Sequence, residues 1–450
     1  MNIALSARLL EERLPRYTSY PTAPHFSGTI TGNHYETWLA TTPTDASASL
    51  YVHIPFCRSM CWYCGCHTKI TRQDEPITKY LAVLRREIDL VADRFTQPPL
   101  IRHLHFGGGT PTIIPPRIFL DLVAHLRRRF PFADDAEQAV EIDPRTLNSE
   151  MIAALAASGV TRASLGVQSL DPTVQRAVNR IQDFDLIARV TENLRAVGIG
   201  DLNFDLIYGL PLQTEASCID TAHQCIALRP NRFAVFGYAH VPTFKKHQRK
   251  IDEATLAGSI ERLAQADAIA TTLVDASYHR IGFDHFALPN DAMSTAQRAG
   301  YLRRNFQGYT NDHSNILIGL GASAIGQLGQ GYVQNEVGIS AYAARIASGE
   351  LATARGHELM PDDRLRAEII ERLMCDFRVD LEKIGRKHAT TADRLLQTTP
   401  QLNELANEQL VRIEGSVITV TDNAHILVRT VASAFDAYLA ASNHRYSRAV

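Results

Sequence analysis

The chain is 450 residues long, 45% hydrophobic and 21% charged, too long for one ordinary core, so two or three domains of a soluble globular protein are expected. Its formal net charge of −2 supplies no global field for nucleic acid or a membrane surface, and no apolar run approaches the roughly 18 residues of a membrane span. Seven cysteines, four of them within residues 57–66, are the wrong layout for a disulfide framework and fit a reduced, cytoplasmic compartment.

Residues 1–45 read as a leader segment. Its first 13 residues lack the apolar core of a signal peptide, and Glu11 and Glu12 argue against an organelle transit peptide. From residue 46, short β-branched or apolar runs alternate with helical stretches, with candidate strands over 49–54, 102–106, 139–142, 162–166, 202–206 and 232–236. Between the first two, Tyr80, Leu81, Leu84, Ile88 and Val91 share one helix face, with Arg85, Arg86 and Glu87 turned mostly elsewhere. These repeats predict an α/β fold, a partial (β/α)6 TIM-like barrel over 46–245. Residues 246–360 read as barrel-covering helices and loops, helical over 254–280 and glycine-rich over 281–345. The stretch 361–450 reads as a smaller, mainly helical C-terminal domain with a hairpin around 411–421, winged-helix-like in outline. Heptads are absent, so a monomer is expected.

Each distinctive polar or glycine cluster of the first half follows a candidate strand, where barrel enzymes assemble their sites. After the first strand come Cys57, Cys61 and Cys64, a C-x3-C-x2-C spacing. Four thiolates would close a structural zinc or iron–sulfur site. Three on a short loop can hold three irons of a [4Fe–4S] cluster and leave the fourth open to bind and reduce a substrate or cofactor. A zinc knuckle completed by Cys66 or His67 is the alternative. The triplet resembles the signature of the radical S-adenosylmethionine (SAM) enzymes, and Tyr63, an aromatic residue just before the third cysteine, is typical of that superfamily and unnecessary for zinc. The resemblance implies that the open iron chelates SAM and that one electron cleaves it to a 5′-deoxyadenosyl radical.

Gly107, Gly108 and Gly109, followed by Thr110, offer backbone amides without side-chain obstruction, either for a ligand's polar end or simply as a tight turn. Glu141 and Asp143 alternate at the end of the third strand, so that one of them can hydrogen-bond ribose hydroxyls, or both can serve in ion pairs. Gln168, Arg180 and Asp205 are placed to complete a polar pocket.

A closer resemblance rests on an ordered series across the chain: Arg16-Tyr-Thr-Ser-Tyr-Pro-Thr-Ala23, Tyr51-Val-His-Ile-Pro-Phe-Cys57, Gly65-Cys66, Gly107-Gly-Gly-Thr-Pro-Thr112, Glu141-Ile-Asp-Pro-Arg145, Gly166-Val-Gln-Ser169, Asp205-Leu-Ile-Tyr-Gly-Leu-Pro211, Asp284-His-Phe-Ala287 and Asn305-Phe-Gln-Gly-Tyr-Thr310. Together these look like the oxygen-independent coproporphyrinogen III oxidases, a radical SAM family. The resemblance implies that Cys57, Cys61 and Cys64 ligate the cluster. It places Tyr51, Gly108, Glu141 and Ile325 against a first SAM, and Tyr63, Gly109, Thr110, Gln168, Arg180, Asp205 and Ala239 against a second. Cys66 matches a cysteine the family requires without using it as a ligand.

The family's substrate carries four propionates on an apolar tetrapyrrole, which calls for cationic anchors around an apolar cavity. Lys245, Lys246, Arg249, Lys250, Arg303 and Arg304 are the candidates, Arg249 foremost because arginine binds carboxylates bidentately. A low-potential electron donor, flavodoxin-like or ferredoxin-like, is implied, and neither nucleic acid nor membrane is expected as a partner. Heme binding and delivery, as in related heme chaperones, is the competing function; Cys66, the 16–23 leader and the 305–310 segment favour the enzyme.

Overall fold

The computed structural model describes residues 9–439 and Tyr446, so the first eight residues of the leader and the end of the C-terminal region lie outside the described residues. Six strands follow one another in parallel: β1 (Ser47–Ile54), β2 (Leu100–Gly108), β3 (Phe132–Ile142), β4 (Arg162–Gln168), β5 (Asp201–Tyr208) and β6 (Arg232–Gly237). Helices α1 (Glu75–Ala92), α2 (Pro116–Arg129), α3 (Ser149–Ala157), α4 (Phe184–Ala196) and α5 (Glu215–Ala227) make the crossovers. The predicted strands and the α/β architecture are present, in the expected order.

Side-chain alternation explains how this sheet serves a site. Leu50, Val52 and Ile54 of β1, Leu104 and Phe106 of β2, and Leu202, Phe204 and Leu206 of β5 are buried. Burial of each such side chain contributes about 1.5–3 kcal/mol. Residues between them, including Tyr51, His105 and Asp205, point to the opposite face. That opposite face is polar, which is unusual for a parallel sheet covered on both sides and marks it as the lining of a functional chamber.

The sheet does not stop at residue 245. It continues through β7 (His279–Ile281), β8 (His285–Ala287), β9 (Ile316–Leu320), β10 (Ile325–Gln327), β11 (Gly331–Asn335) and β12 (Thr353–Glu358), giving the order β12-β11-β10-β9-β1-β2-β3-β4-β5-β6-β8-β7. The expectation of only helices and loops over 246–360 is corrected here. β9 pairs with β1 in parallel and adds a seventh parallel strand, while the others pair antiparallel. These strands are short and interrupted by Gly319, Gly326 and Gly356, which dilutes the β-branched signal that sequence periodicity needs. Gly319 is required by packing, since a Cβ there would lie 2.5 Å from the Ile325 carbonyl oxygen.

A second correction concerns α1. Its apolar stripe is buried as expected, but Glu87 is buried with it. The Glu87 carboxylate accepts from the Gly321 amide at 2.6 Å, Asn335 Nδ2 at 2.6 Å and the Tyr342 hydroxyl at 2.7 Å, pinning the turn between β9 and β10.

Residues 361–420 run helix Pro361–Asp376, strand Arg378–Asp380, helices Leu381–Lys387, Ala392–Gln397 and Gln401–Asn407, then the hairpin Val411–Glu414 with Val417–Val420. The segment is mainly helical, as expected, and the hairpin lies where the sequence placed it, with Arg378–Asp380 paired to its second strand. The same apolar core that fills the barrel reaches into this region, as far as Phe435.

Candidate active site

The cysteine loop leaves β1 at Pro55 and is closed by a short parallel pairing of Phe56–Cys57 with Lys69–Ile70. Backbone bonds from Lys69 to Pro55 at 2.8 Å and from Trp62 to Val178 at 2.9 Å fix its shape, with Asn179 Nδ2 donating to the Met60 carbonyl at 2.8 Å. Cys61 is buried, Cys57 and Cys64 are half-buried and Cys66 is exposed; Cys218, Cys225 and Cys375, far from this loop in sequence, are buried.

Every sulfur of the triplet receives a donor. The Thr110 hydroxyl points at Cys57 Sγ at 3.3 Å, Arg145 Nη2 and Arg180 Nη1 at Cys61 Sγ at 3.4 and 3.5 Å, and the Cys66 amide at Cys64 Sγ at 3.4 Å. Donors aimed at sulfur stabilise thiolates and tune an iron–sulfur cluster held by them. The Cys66 thiol also bonds to Cys64 and, against burial, draws Cys64 down to about 6. Burial pushes Cys57 up to about 12, a cost that metal coordination offsets by taking the proton's place. Among the described residues, no three His, Cys, Asp or Glu side chains converge as ligands of a single metal ion. Three thiols on one short loop, each with a hydrogen-bond donor on its sulfur, fit a cluster held by Cys57, Cys61 and Cys64.

Glu141 and Asp143 take different roles. Burial raises the Asp143 carboxyl, but hydrogen bonds from Arg145 at 2.9 and 2.7 Å and the charge of Arg180 at 3.5 Å outweigh it and hold Asp143 below the usual carboxylate range. It thereby orients the two arginines that face Cys61. Glu141 accepts from the Gly108 amide at 3.1 Å and lies 3.3 Å from His105 Nε2. A Cβ at Gly107 would stand 2.7 Å from Glu141 Oε1 and 2.9 Å from the Tyr51 ring, so glycine there leaves both side chains in place.

Tyr51, Glu141 and Ile325 line one cavity of about 740 Å3, so the residues expected at the first SAM, with Gly108 bonded to Glu141, are brought together. His53 and His67 also line this cavity and were missed by the sequence reading. The Tyr51 hydroxyl lies 3.1 Å from His53 Nδ1, and Nε2 donates to the His67 carbonyl at 3.2 Å. Burial, the larger effect, lowers the His53 pKa and so favours the neutral ring, in which Nδ1 accepts from Tyr51. The pattern Tyr51-x-His53 on a strand places both rings on one face, which was the available signal.

Residues expected at a second SAM do not line this cavity. Tyr63, Gly109, Thr110 and Arg180 pack around the cysteine loop; Gly109 is forced by the Phe56 carbonyl oxygen, 2.5 Å from where its Cβ would be. Gln168 ends β4 at a bulge with φ of +67°, beside Arg180. Asp205 accepts from Ser164 at 3.1 Å and Asn203 at 2.8 Å; loss of solvent and then the charge of Glu141 push it up to about 7. Ala239, beyond β6, lines a neighbouring cavity of about 550 Å3 that shares Phe244 with the first.

The six basic candidates for propionate anchors sit elsewhere. Lys245 Nζ donates to the Cys66 carbonyl at 2.9 Å, and in the same turn His247 bonds the Cys64 carbonyl at 2.8 Å. Fully buried Gln248 donates to the Tyr63 carbonyl at 2.9 Å and the Ala239 carbonyl at 3.2 Å and accepts from the Val241 amide at 2.6 Å. This run is a clamp on the cysteine loop. Lys246, Arg249 and Lys250 are exposed, the last over the Trp62 ring at 5.6 Å. Arg303 pairs with Glu371 at 2.9 Å, and Arg304 lies over the Tyr309 ring at 4.4 Å beside Asp284. A further cavity of about 860 Å3 against helix Pro361–Asp376 carries none of the cysteine-loop residues, and its walls are joined by Arg303–Glu371 and Lys387–Glu368.

Residues 51–225 match the model of the radical SAM superfamily. The oxygen-independent coproporphyrinogen III oxidase of Bradyrhizobium diazoefficiens is 54% identical over 450 residues, covering 100% of both chains. That of Paracoccus denitrificans is 40% identical over 97% of both. Among solved structures, coproporphyrinogen III oxidase (HemN) from Escherichia coli superposes with a TM-score of 0.90 at 38% identity, over 95% of this chain and 100% of that one. At that identity over nearly the whole of both chains, the chain belongs to the oxygen-independent coproporphyrinogen III oxidases of the radical SAM superfamily.

Proposed function

We propose that this protein oxidatively decarboxylates two propionate side chains of coproporphyrinogen III to vinyl groups, giving protoporphyrinogen IX for heme biosynthesis without oxygen. The observation that carries this reading is the adjacency of two features at the carboxyl ends of the parallel strands: a three-cysteine loop with a donor on each sulfur, and a cavity lined by Tyr51, Glu141 and Ile325. When bound there, the cluster and SAM supply a primary carbon radical that takes a hydrogen atom from a propionate β-carbon, after which CO2 and one electron leave.

The chain's own residues prepare that chemistry. Cys57, Cys61 and Cys64 hold the metal, and Thr110, Arg145, Arg180 and the Cys66 amide stabilise negative charge on their sulfurs. Glu141, already oriented by the Gly108 amide and His105, keeps acceptor capacity for ribose hydroxyls or an ammonium group. Tyr51 and Ile325 enclose the first nucleoside, while Tyr63, Gly109, Thr110, Gln168, Arg180, Asp205 and Ala239 serve a second SAM. Cys66, exposed and bonded to Cys64, acts beside the cluster and not as its ligand.

An external low-potential donor of the flavodoxin or ferredoxin type supplies the electron. Exposed Lys246, Arg249 and Lys250 on the flank of the cysteine loop give an acidic carrier a cationic landing surface. The enzyme works as a cytoplasmic monomer, in keeping with its seven reduced cysteines; among the described residues no helix is long and apolar enough to cross a membrane. Anaerobic incubation of reconstituted protein with SAM, reductant and coproporphyrinogen III tests the reading. Vinyl product is expected; stoichiometric heme binding without product would indicate heme delivery instead.

A further inference from the structure

The cofactor cavity of about 740 Å3 is walled on one side by the antiparallel extension of the sheet. Ile325 of β10 pairs directly with Gln334 of β11, and Gln334 pairs in turn with Arg355 of β12. Residues opposite one another on neighbouring strands share a face, so these three side chains form a row along the wall. Gln334 is buried and donates to the Ser323 carbonyl at 3.2 Å, which turns its oxygen to accept from Arg355 Nε at 2.7 Å. The half-buried guanidinium is thus held by one edge. Its two terminal amino groups meet no acceptor among the described residues.

Among the described residues that line the cavity, Arg355 is the only lysine or arginine. The histidines do not compete with it for an anion. His53 is lowered by burial, and His67 is drawn down to about 4 by burial first and then by the charges of Lys245, His53 and Arg355. Glu141, the one acid of the same lining, is turned to the Gly108 amide and His105. Phe244, Leu317 and Ile325 make neighbouring walls apolar. A fixed guanidinium with open donors beside apolar walls is suited to a carboxylate on an apolar body.

We infer that Arg355 binds a propionate carboxylate of the porphyrinogen inside the cofactor cavity and holds that edge of the tetrapyrrole against the Ile325 wall. The inference rests on the function proposed above and names a substrate contact within the same site. SAM, through its own carboxylate, is the other source of the same chemistry. Position decides between them: the cysteine loop that holds the cluster leaves β1, whereas Arg355 stands four strands away on β12, beyond Ile325.

Titration of the reconstituted holoenzyme with coproporphyrin III, the fluorescent oxidised tetracarboxylate, tests this, with its tetramethyl ester as the uncharged control. SAM binding is measured separately by equilibrium dialysis, and KM for coproporphyrinogen III decides where the flat oxidised porphyrin does not enter. Arg355→Gln can keep the bond to Gln334 without the charge, and is expected to weaken coproporphyrin binding about tenfold or more with SAM affinity unchanged. Arg355→Ala should do the same, and Arg355→Lys, which restores the charge without the fork, should rescue part of the loss. The inference is overturned if the glutamine and alanine variants bind coproporphyrin within about twofold of the parent, if the ester binds as well as the acid, or if the loss appears in SAM affinity. Parent enzyme that neither binds coproporphyrin nor forms product overturns the function as well, whereas turnover by the parent with an unchanged KM in Arg355→Gln overturns the anchor alone.

Discussion

Arg180 Nη1 lies 3.5 Å from Cys61 Sγ while its Nη2 donates to the Gly166 carbonyl at 2.6 Å, so one guanidinium ties the end of β4 to a sulfur of the cysteine loop. Asp143, 3.5 Å away, holds that fork in place. Replacement by lysine keeps the charge but cannot span both contacts. Arg180→Ala is expected to shift the cluster's reduction midpoint to a more negative value and to lower activity about 10–100-fold, with Arg180→Lys in between. Redox titration followed by electron paramagnetic resonance measures the shift, and an unchanged midpoint would show that Arg180 does not act on the cluster.

The four clustered cysteines separate into ligands and a neighbour. Cys57→Ala, Cys61→Ala and Cys64→Ala each remove a sulfur that the structure supplies with a donor, and none should retain iron after anaerobic reconstitution. Cys66→Ala leaves its backbone amide on Cys64, so brown colour and iron content should persist while product is lost. Iron and sulfide analysis beside a product assay decides; iron loss in Cys66→Ala would make it a ligand.

Gly108 joins β2 to the glycine turn with φ of +110°, a conformation L side chains rarely adopt, and a Cβ there would stand 2.5 Å from the His53 ring. Gly108→Ala is therefore expected to cost about 1–3 kcal/mol in backbone strain alone and to displace His53 and the Tyr51 hydroxyl bonded to it. Denaturant unfolding should register the first effect and weakened SAM binding the second. Stability and SAM affinity both equal to the parent would sink the assignment of this turn.

These contacts also show what the sequence could express. Strands β1–β6 were legible because each carries a run of buried apolar residues on one face, and the cysteines, glycines and Glu141 were legible because each follows such a run. Strands β7–β12 were not, since three to six residues with interspersed glycine carry too little period to register. Arg16, Arg262 and Arg429 are separated by hundreds of residues and become one charged recess only through tertiary packing. In the basic run 245–250 the charges are visible in sequence, whereas the backbone carbonyls that Lys245, His247 and Gln248 meet are not.

Glu87 gives the fold a pH dependence. Burial pushes its carboxyl up to about 7 against hydrogen bonds from Tyr342, Gly321 and Asn335, from an ordinary value of 4.5. Between those values the native state keeps a proton that the unfolded chain has released. The contribution is intact below the unfolded value and is lost as pH rises through the native one, by at most about 3 kcal/mol. Asp205, also raised to about 7, adds in the same direction. Stability of the parent should fall from about pH 5 to pH 8, and Glu87→Gln, which cannot titrate, should flatten part of that slope. Adding Asp205→Asn should flatten more of it; parallel curves for parent and variants would show that neither carboxyl is protonated in the folded chain.

Gln248 offers the sharpest separation of loop support from cluster ligation. It touches no sulfur, yet its buried amide meets the Tyr63 carbonyl, the Ala239 carbonyl and the Val241 amide, so Gln248→Ala leaves three backbone groups without that partner. A loss of about 1–3 kcal/mol is expected, less where water enters to replace the amide. Because the clamp joins the cysteine loop to the loop after β6, the variant should bind its full complement of iron but lose it faster to oxygen or a chelator. Lower iron at the outset would instead mean that the loop cannot form without the clamp, and an unchanged rate of loss would mean that Lys245 and His247 suffice to hold it.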